Sequence, residues 1–302
     1  MNPRSAGGRT GLLWRRVGPT LSAILGPFDA RLTERPWHAA EIARDALDRG
    51  YELIVSVGGD GTNFEVLNGW FDEGGRAIRP EATLAVLPCG TGGDFRRTLD
   101  LPGDPLSAAR AVAESEGRRI DVGRLRYTRH DGGAGVRHFL NVADAGYGGQ
   151  TVRDVNRRSK RLGGRISFLH GGIATALAYR NKRARWRVDA GPWREGPAFN
   201  LIAANARFHG AGVEIAPDAR IDDGLLDFVL MGDLSKREIA RTYAGVFAGK
   251  GARGPKVETA RGRRLEVEGD EPMLLDVDGE QIGRTPAVFE VVPGALLVRG
   301  WI

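Results

Sequence analysis

Two short apolar runs, 51–57 and 83–87, each end directly in a glycine-rich loop: Gly58-Gly59-Asp60-Gly61-Thr62-Asn63 after the first, Pro88-Cys89-Gly90-Thr91-Gly92-Gly93-Asp94-Phe95 after the second. Runs that are apolar throughout suit strands of a parallel sheet covered on both faces. Helical patterns at 38–48, 64–70 and 105–115 alternate with them. That alternation specifies an α/β sheet, whose ligands bind beyond the carboxyl ends of the strands, and both loops fall at such ends.

A strand, a glycine turn and a helix N-terminus suit a phosphate. Glycines let ligand oxygens approach backbone N–H groups, and the helix dipole adds partial positive charge. Asp60 is the odd member, because a carboxylate beside phosphates repels them unless Mg²⁺ or a hydroxyl proton intervenes. It points to phosphoryl chemistry rather than simple anion binding. One such loop alone reads equally as a tight turn, but two on one sheet, each with Thr and Asp, favour the phosphate cradle. Neither has the G-x-x-x-x-G-K-[ST] pattern, and the G-x-G-x-x-G at 249–254 trails a helical pattern instead of linking strand to helix.

From about residue 120 the texture changes to alternating or β-branched runs: 137–142, 185–189, 199–203, 225–230, 264–267, 274–277 and 288–292. Helical insertions at 152–183, with a Gly163-Gly164 break, and at 235–247 interrupt them. The expected architecture is an α/β N-terminal domain with a parallel sheet, 1–122, which the last strand, about 294–302, can complete. A C-terminal β-sandwich domain with helical insertions, 123–293, follows.

A single cysteine, Cys89, excludes an internal disulfide framework, no Cys/His cluster has zinc-site spacing, and a reducing cytoplasm is the expected setting. No run approaches the ~20 apolar residues of a membrane span. The opening stretch has a basic start and apolar residues like a leader, but Gly18, Pro19, Gly26 and Pro27 interrupt it and no A-x-A site follows. The net charge of +6 is unevenly spread. Residues 153–187 hold eleven basic side chains and one acid, Asp154, which reads either as a solvated face or as a surface for anions. That stretch lacks the aromatic interleaving of a single-strand nucleic-acid platform, so no nucleic acid is expected.

Five motifs taken together resemble the diacylglycerol kinase catalytic-domain family, which includes sphingosine kinases and soluble bacterial lipid kinases: NPRSAGG at 2–8, GGDGT at 58–62, PxGTxxDF at 88–95, PDARIDDGLLD at 217–227 and DGE at 278–280. GGDGT alone is also similar to the loop of NAD kinases and phosphofructokinases. The resemblance implies an ATP-binding α/β domain of NAD kinase/diacylglycerol kinase type, a β-sandwich domain, and an active site in the cleft between them. It implies nucleotide contacts on Asn2, Thr33, Gly58, Gly59, Asp60, Gly61, Thr62, Asn63, Gly90 and Thr91, with Glu280 as the general base that takes the proton of a lipid hydroxyl. Asp60 and Asp94 are expected to organise a catalytic Mg²⁺ with ATP. A second, structural Mg²⁺ is implied on Asp223 and the carbonyls of Arg220 and Leu225. Taken alone, Asp278-Gly279-Glu280 reads as a hairpin turn and 220–225 as a surface turn.

The sequence departs from the family in two places. Gly93 stands where many relatives have Asn, and the strand expected before the NPxS motif is absent ahead of Met1. By resemblance the acceptor is a diacylglycerol-like or sphingoid lipid, and the basic stretch is expected to meet an anionic membrane surface peripherally. Ile166, Phe168, Leu169, Ile173 and Leu177 would then line the entrance for lipid chains, unless they are a helix's core face. An NAD kinase-like enzyme and a catalytically impaired nucleotide-binding membrane sensor are the alternatives.

Overall fold

The computed structural model describes the chain apart from residues 91, 159–171, 173, 177, 211 and 302. It divides into two compact units, Met1–Ile120 with Gly294–Ile302, and Asp121–Pro293.

In the first unit the elements run α1 (Arg9–Leu25), α2 (His38–Asp48), β1 (Leu53–Gly58), α3 (Asp60–Gly69), β2 (Thr83–Pro88), α4 (Asp94–Thr98) and α5 (Pro105–Glu114). β1 and β2 pair in parallel from Leu53↔Thr83 to Gly58↔Pro88, so the two glycine loops leave the sheet side by side. The far edge of β2 pairs in parallel with Leu297–Arg299, which brings the end of the chain back into this unit. Val57, Leu84, Val86 and Leu87 are buried, the pattern of a sheet with both faces covered. Asp104 caps α5 by accepting the Ser107 N–H at 2.8 Å, with Pro105 in the first turn.

α1 covers a stretch for which the sequence pattern set no element: the helix runs through Gly18 and Pro19, which interrupt the apolar residues there, and buries Thr10, Val17 and Leu21 along one stripe. Proline forfeits one backbone bond inside a helix, and here burial of that stripe outweighs the loss.

The second unit holds β3 (Arg118–Arg129), β4 (Ala134–Phe139), β5 (Val142–Gly146), α6 (Tyr147–Arg158), β6 (Lys182–Val188), β7 (Arg194–Ala198), β8 (Asn200–Ala204), β9 (Phe208–His209), β10 (Val213–Glu214), β11 (Leu226–Met231), α7 (Lys236–Phe247), β12 (Val257–Gly262), β13 (Arg264–Glu268), β14 (Leu274–Val277) and β15 (Glu280–Arg299). β3 and β15 carry the chain across the boundary between the units. The main strand order is β12-β11-β8-β5-β14-β15-β13-β6-β7, with β3 pairing β15 and β4, and β9 with β10 forming a separate ribbon. The registers within this unit are antiparallel. Phe199, Ile202, Val229, Met231, Ile239 and Val246 form a core between the strands and α7. Ser235 caps α7 in a capping box with Glu238.

Some expected strands change. The run 137–142 is split, because β4 ends at Phe139 and the N–H groups of Leu140, Asn141 and Val142 bond to the Asp278 carboxylate at 2.8, 2.9 and 3.1 Å. The run 288–292 is the middle of the 20-residue β15. The insertion 152–183 is helical as α6 up to Arg158, but its last two positions already belong to β6.

Candidate active site

The first glycine turn is shorter than its sequence suggests. α3 begins at Asp60, so Gly61, Thr62 and Asn63 form its first turn rather than a loop, and Gly59 is the N-cap. Bare backbone is required here: a Cβ on Gly58 would lie 2.5 Å from Thr62 Oγ1. The Asn63 carboxamide oxygen accepts the Ser56 hydroxyl at 2.7 Å in the interior, which fixes the helix on β1. Asn2 donates its amide to Thr62 Oγ1 at 3.1 Å, and its own N–H bonds to Val57 O at 3.0 Å. Thr33 is buried and its N–H bonds to Met1 O at 2.9 Å. Met1-Asn2 are thus threaded between β1 and residue 33, and Asn2 and Thr62 are brought together with the glycine turn.

The two loops touch at their backbones. A Cβ on Gly90 would lie 2.4 Å from the Gly59 Cα, a distance that only two glycines allow. Thr10 holds the second loop by donating its hydroxyl to Cys89 O at 2.8 Å. Thr91 lies outside the described residues. Burial pushes the Cys89 thiol up to about 11, so it is protonated and unreactive near neutrality.

Asp60 joins the loops. Its carboxylate accepts the N–H groups of Gly93 at 2.6 Å, Asp94 at 3.2 Å and Phe95 at 3.3 Å, which are the orphan donors at the start of α4. Its first task is therefore to hold one loop against the other. Burial and the charge of Asp94 nevertheless push its carboxyl above the usual range. Asp94 is buried beside Arg97, 3.2 Å away. Two neighbouring hard-oxygen anions are a donor set whose charged forms a divalent cation would stabilise, so the residues fit Mg²⁺. Gly93 has φ +73, the left-handed region that Gly and Asn both adopt readily. Glycine in place of asparagine keeps the turn.

In the second unit, Asp278-Gly279 is a two-residue hairpin turn with φ +48 and +89, joining Val277 of β14 to Glu280 of β15. Asp276 closes the turn by accepting the Gly279 N–H at 2.8 Å. The hairpin reading and the functional reading of DGE thus fall on different residues: Asp278 is spent on the backbone at 140–142, and Glu280, first residue of β15, is exposed. Sequence reasoning missed Asp276 and its neighbour Asp144. Their signal was an acid inside an otherwise apolar strand, LLDV and VADAG.

The loop 220–225 meets a different cation from the implied metal. Asp223 pairs with the Arg261 guanidinium and accepts the Leu225 N–H at 3.1 Å, Asp227 faces Arg261 at 3.4 Å, and Arg220 pairs with Asp222 at 3.4 Å. In this arrangement the Asp223 carboxylate is taken by Arg261 and the Leu225 N–H, so an ion held there would have to displace the guanidinium. The basic stretch is also divided. Lys182, Arg183, Arg185 and Arg187 on β6 pair with Glu271, Glu195, Glu268 and Glu266 at 3.1, 3.0, 2.6 and 2.6 Å. Four of the cations are thereby compensated. Arg153, Arg157, Lys182 and Arg284 line a groove of about 550 Å³ with His130, Gln150 and Gln281. Residues 166, 168, 169, 173 and 177 lie outside the described ones. Among the described residues no helix is long and apolar enough to cross a membrane.

Residues 1–125 match the diacylglycerol kinase catalytic domain, and 141–300 match the YegS C-terminal NAD kinase beta sandwich-like domain. A Pseudomonas aeruginosa protein named probable lipid kinase YegS-like is 32% identical over 269 residues, 89% of this chain and 83% of that one. A Staphylococcus saprophyticus diacylglycerol kinase is 28% identical over 86% of this chain and 80% of its own length. The crystal structure of a diacylglycerol kinase from Bacillus anthracis superposes with a TM-score of 0.71 at 21% identity, over 98% of this chain and 93% of that one.

Proposed function

The chain belongs to the diacylglycerol kinase and YegS-like lipid kinase family, an α/β catalytic domain followed by a β-sandwich domain, and on that premise we propose that it transfers the γ-phosphoryl group of ATP to a hydroxyl of a diacylglycerol-like or sphingoid lipid. The observation that carries this reading is the pair of glycine turns at neighbouring strand ends, packed so closely that a Cβ on Gly90 would lie 2.4 Å from the Gly59 Cα. Backbone N–H groups at the start of α3, with the Asn2 and Thr62 side chains beside them, suit phosphate oxygens. Gly58, Gly59, Gly61, Asn63, Gly90, Thr91 and Thr33 belong to the same proposed nucleotide site.

Asp60 and Asp94 would hold Mg²⁺ accompanying ATP, which when bound neutralises phosphate charge. Glu280 is the proposed base. Its exposed carboxylate would accept the proton of the lipid hydroxyl as that oxygen attacks phosphorus. Alcohols are weak nucleophiles without such help, and general-base assistance is worth about 10²–10⁴ in rate. Positioning of the two reactants supplies more, because phosphoryl transfer passes through a loose transition state.

The groove that Gln281, the residue following Glu280, helps to line holds Arg153, Arg157 and Arg284, beside Lys182, which Glu271 already pairs. It supports an acceptor presented at an anionic membrane surface in the cytoplasm, where basic side chains gain affinity that salt screens. Labelled ATP supplied with extracted lipids or with NAD tests the reading. A labelled lipid and unlabelled NAD are expected; label on NAD alone would replace the lipid acceptor with a soluble nucleotide.

A further inference from the structure

Two carboxylates face each other inside the second unit, and neither is among the residues assigned to phosphate transfer. Asp144 of β5 and Asp276 of β14 are direct partners in antiparallel register, and each is 1% exposed. One oxygen of each, Asp144 Oδ1 and Asp276 Oδ2, has no hydrogen-bond partner. His209, from the short strand β9, brings Nε2 to 3.5 Å from Asp276 Oδ2 and 3.9 Å from Asp144 Oδ2. One donor atom from each of the three residues lies within 4.8 Å of the other two.

Such a pair cannot stay doubly charged in a dry interior without a counter-charge, and a proton or a cation must supply it. Burial pushes both carboxyls above their usual range, and the charge of Asp276 adds to the effect on Asp144. The surrounding donors lean the other way. The Asn200 amide and the Gly149 N–H favour charged Asp144, and the Gly279 N–H donates to Asp276 at 2.8 Å. The chain also keeps this place bare: a Cβ on Gly148 would lie 2.1 Å from Asp144 Oδ2, and one on Gly149 2.4 Å from the Leu274 carbonyl.

We propose that Asp144, His209 and Asp276 bind a divalent transition cation of the Zn²⁺ or Mn²⁺ class. One imidazole nitrogen and two carboxylate oxygens are a mixed donor set that suits those ions, whereas Mg²⁺ prefers oxygen and water. Metal–ligand bonds of about 2.0–2.2 Å in tetrahedral geometry put donor atoms ~3.4 Å apart, so three donors lying within 4.8 Å of one another need to close by roughly an ångström. The cation would tie β5, β9 and β14 together. It would hold β14 immediately ahead of the hairpin that carries Glu280. Cation binding itself does not depend on the phosphate-transfer reading.

The test uses the full chain, stripped with chelator, without nucleotide, titrated calorimetrically with ZnCl2 and separately with MnCl2. Wild type is expected to take up one equivalent of at least one of the two ions. The near-isosteric Asp144→Asn and the rim variant His209→Gln should each bind it at least tenfold more weakly, and the same salt should raise the melting temperature of wild type only. Uptake of neither ion by wild type, or unchanged affinity in both variants, would overturn the site. So would an Asp144→Asn protein that melts higher than wild type while metal shifts neither, the outcome for two acids sharing a proton.

Discussion

His138 sits in β4 opposite Arg124, 3% exposed, and its imidazole is pushed down to about 3, first by burial and then by the charges of Arg124 and Arg137. The unfolded chain takes up that proton near pH 6.5, whereas the folded chain refuses it until about 3. Stability from this group is therefore complete above pH 6.5 and is lost as pH falls toward 3, with a slope approaching ~1.4 kcal/mol per pH unit. Urea unfolding at pH 7, 6, 5 and 4 should show wild type losing stability more steeply than His138→Gln between pH 6.5 and 4. Parallel slopes would mean that the imidazole is accommodated charged. Other single residues act by what they are tied to: Asp60 by three backbone donors, Asp278 by three more, Asn63 by the Ser56 hydroxyl.

Among the elements, the contact that matters most for the proposed nucleotide site is between the β1–α3 and β2–α4 junctions. Gly90→Ala would place a Cβ 2.4 Å from the Gly59 Cα, where only backbone movement relieves it. We expect it to cost about 1–3 kcal/mol of stability, as overpacking does, and to weaken ATP binding at least tenfold. Gly103→Ala, with open space around its Cβ, is the control. Chemical unfolding and equilibrium ATP titration check both, and a neutral Gly90→Ala would show that the loops do not press together. The strands at 53–58 and 83–88 were legible in the sequence because their mostly apolar runs are bounded by glycine or charge, the helix 38–48 because its apolar residues recur at helical spacing, and the strand 274–277 because three of its four residues are apolar. α1 was not, because Gly18-Pro19 imitates a break that tertiary burial overrides. β3, β7 and β12 were not, because their exposed arginines and glutamates hide the alternation, as in the burial of β3. In the site, residue types and motif positions could be read, whereas partners could not. Nothing in GGDGT says that its aspartate is committed to a helix 33 residues on.

For the whole molecule, the chain completes its first unit only with its last residues, since Leu297–Arg299 supply a parallel neighbour to β2. The glycine turns proposed to hold the nucleotide therefore leave strands that are joined by residues 297–299, while the acid proposed as base starts the strand that returns there. On this plan the glycine turns engage ATP, and Glu280 engages the hydroxyl of the lipid acceptor. Glu280→Gln keeps the size and hydrogen-bonding capacity of the side chain and removes its basicity. The decisive measurement is the initial rate of labelled phosphate transfer from ATP to extracted lipids by wild type and Glu280→Gln, at saturating nucleotide. Proton removal by Glu280 predicts a labelled lipid with wild type and a rate about 10²-fold or more lower in the variant, with ATP affinity unchanged; equal rates, or no labelled lipid from either protein, would contradict it.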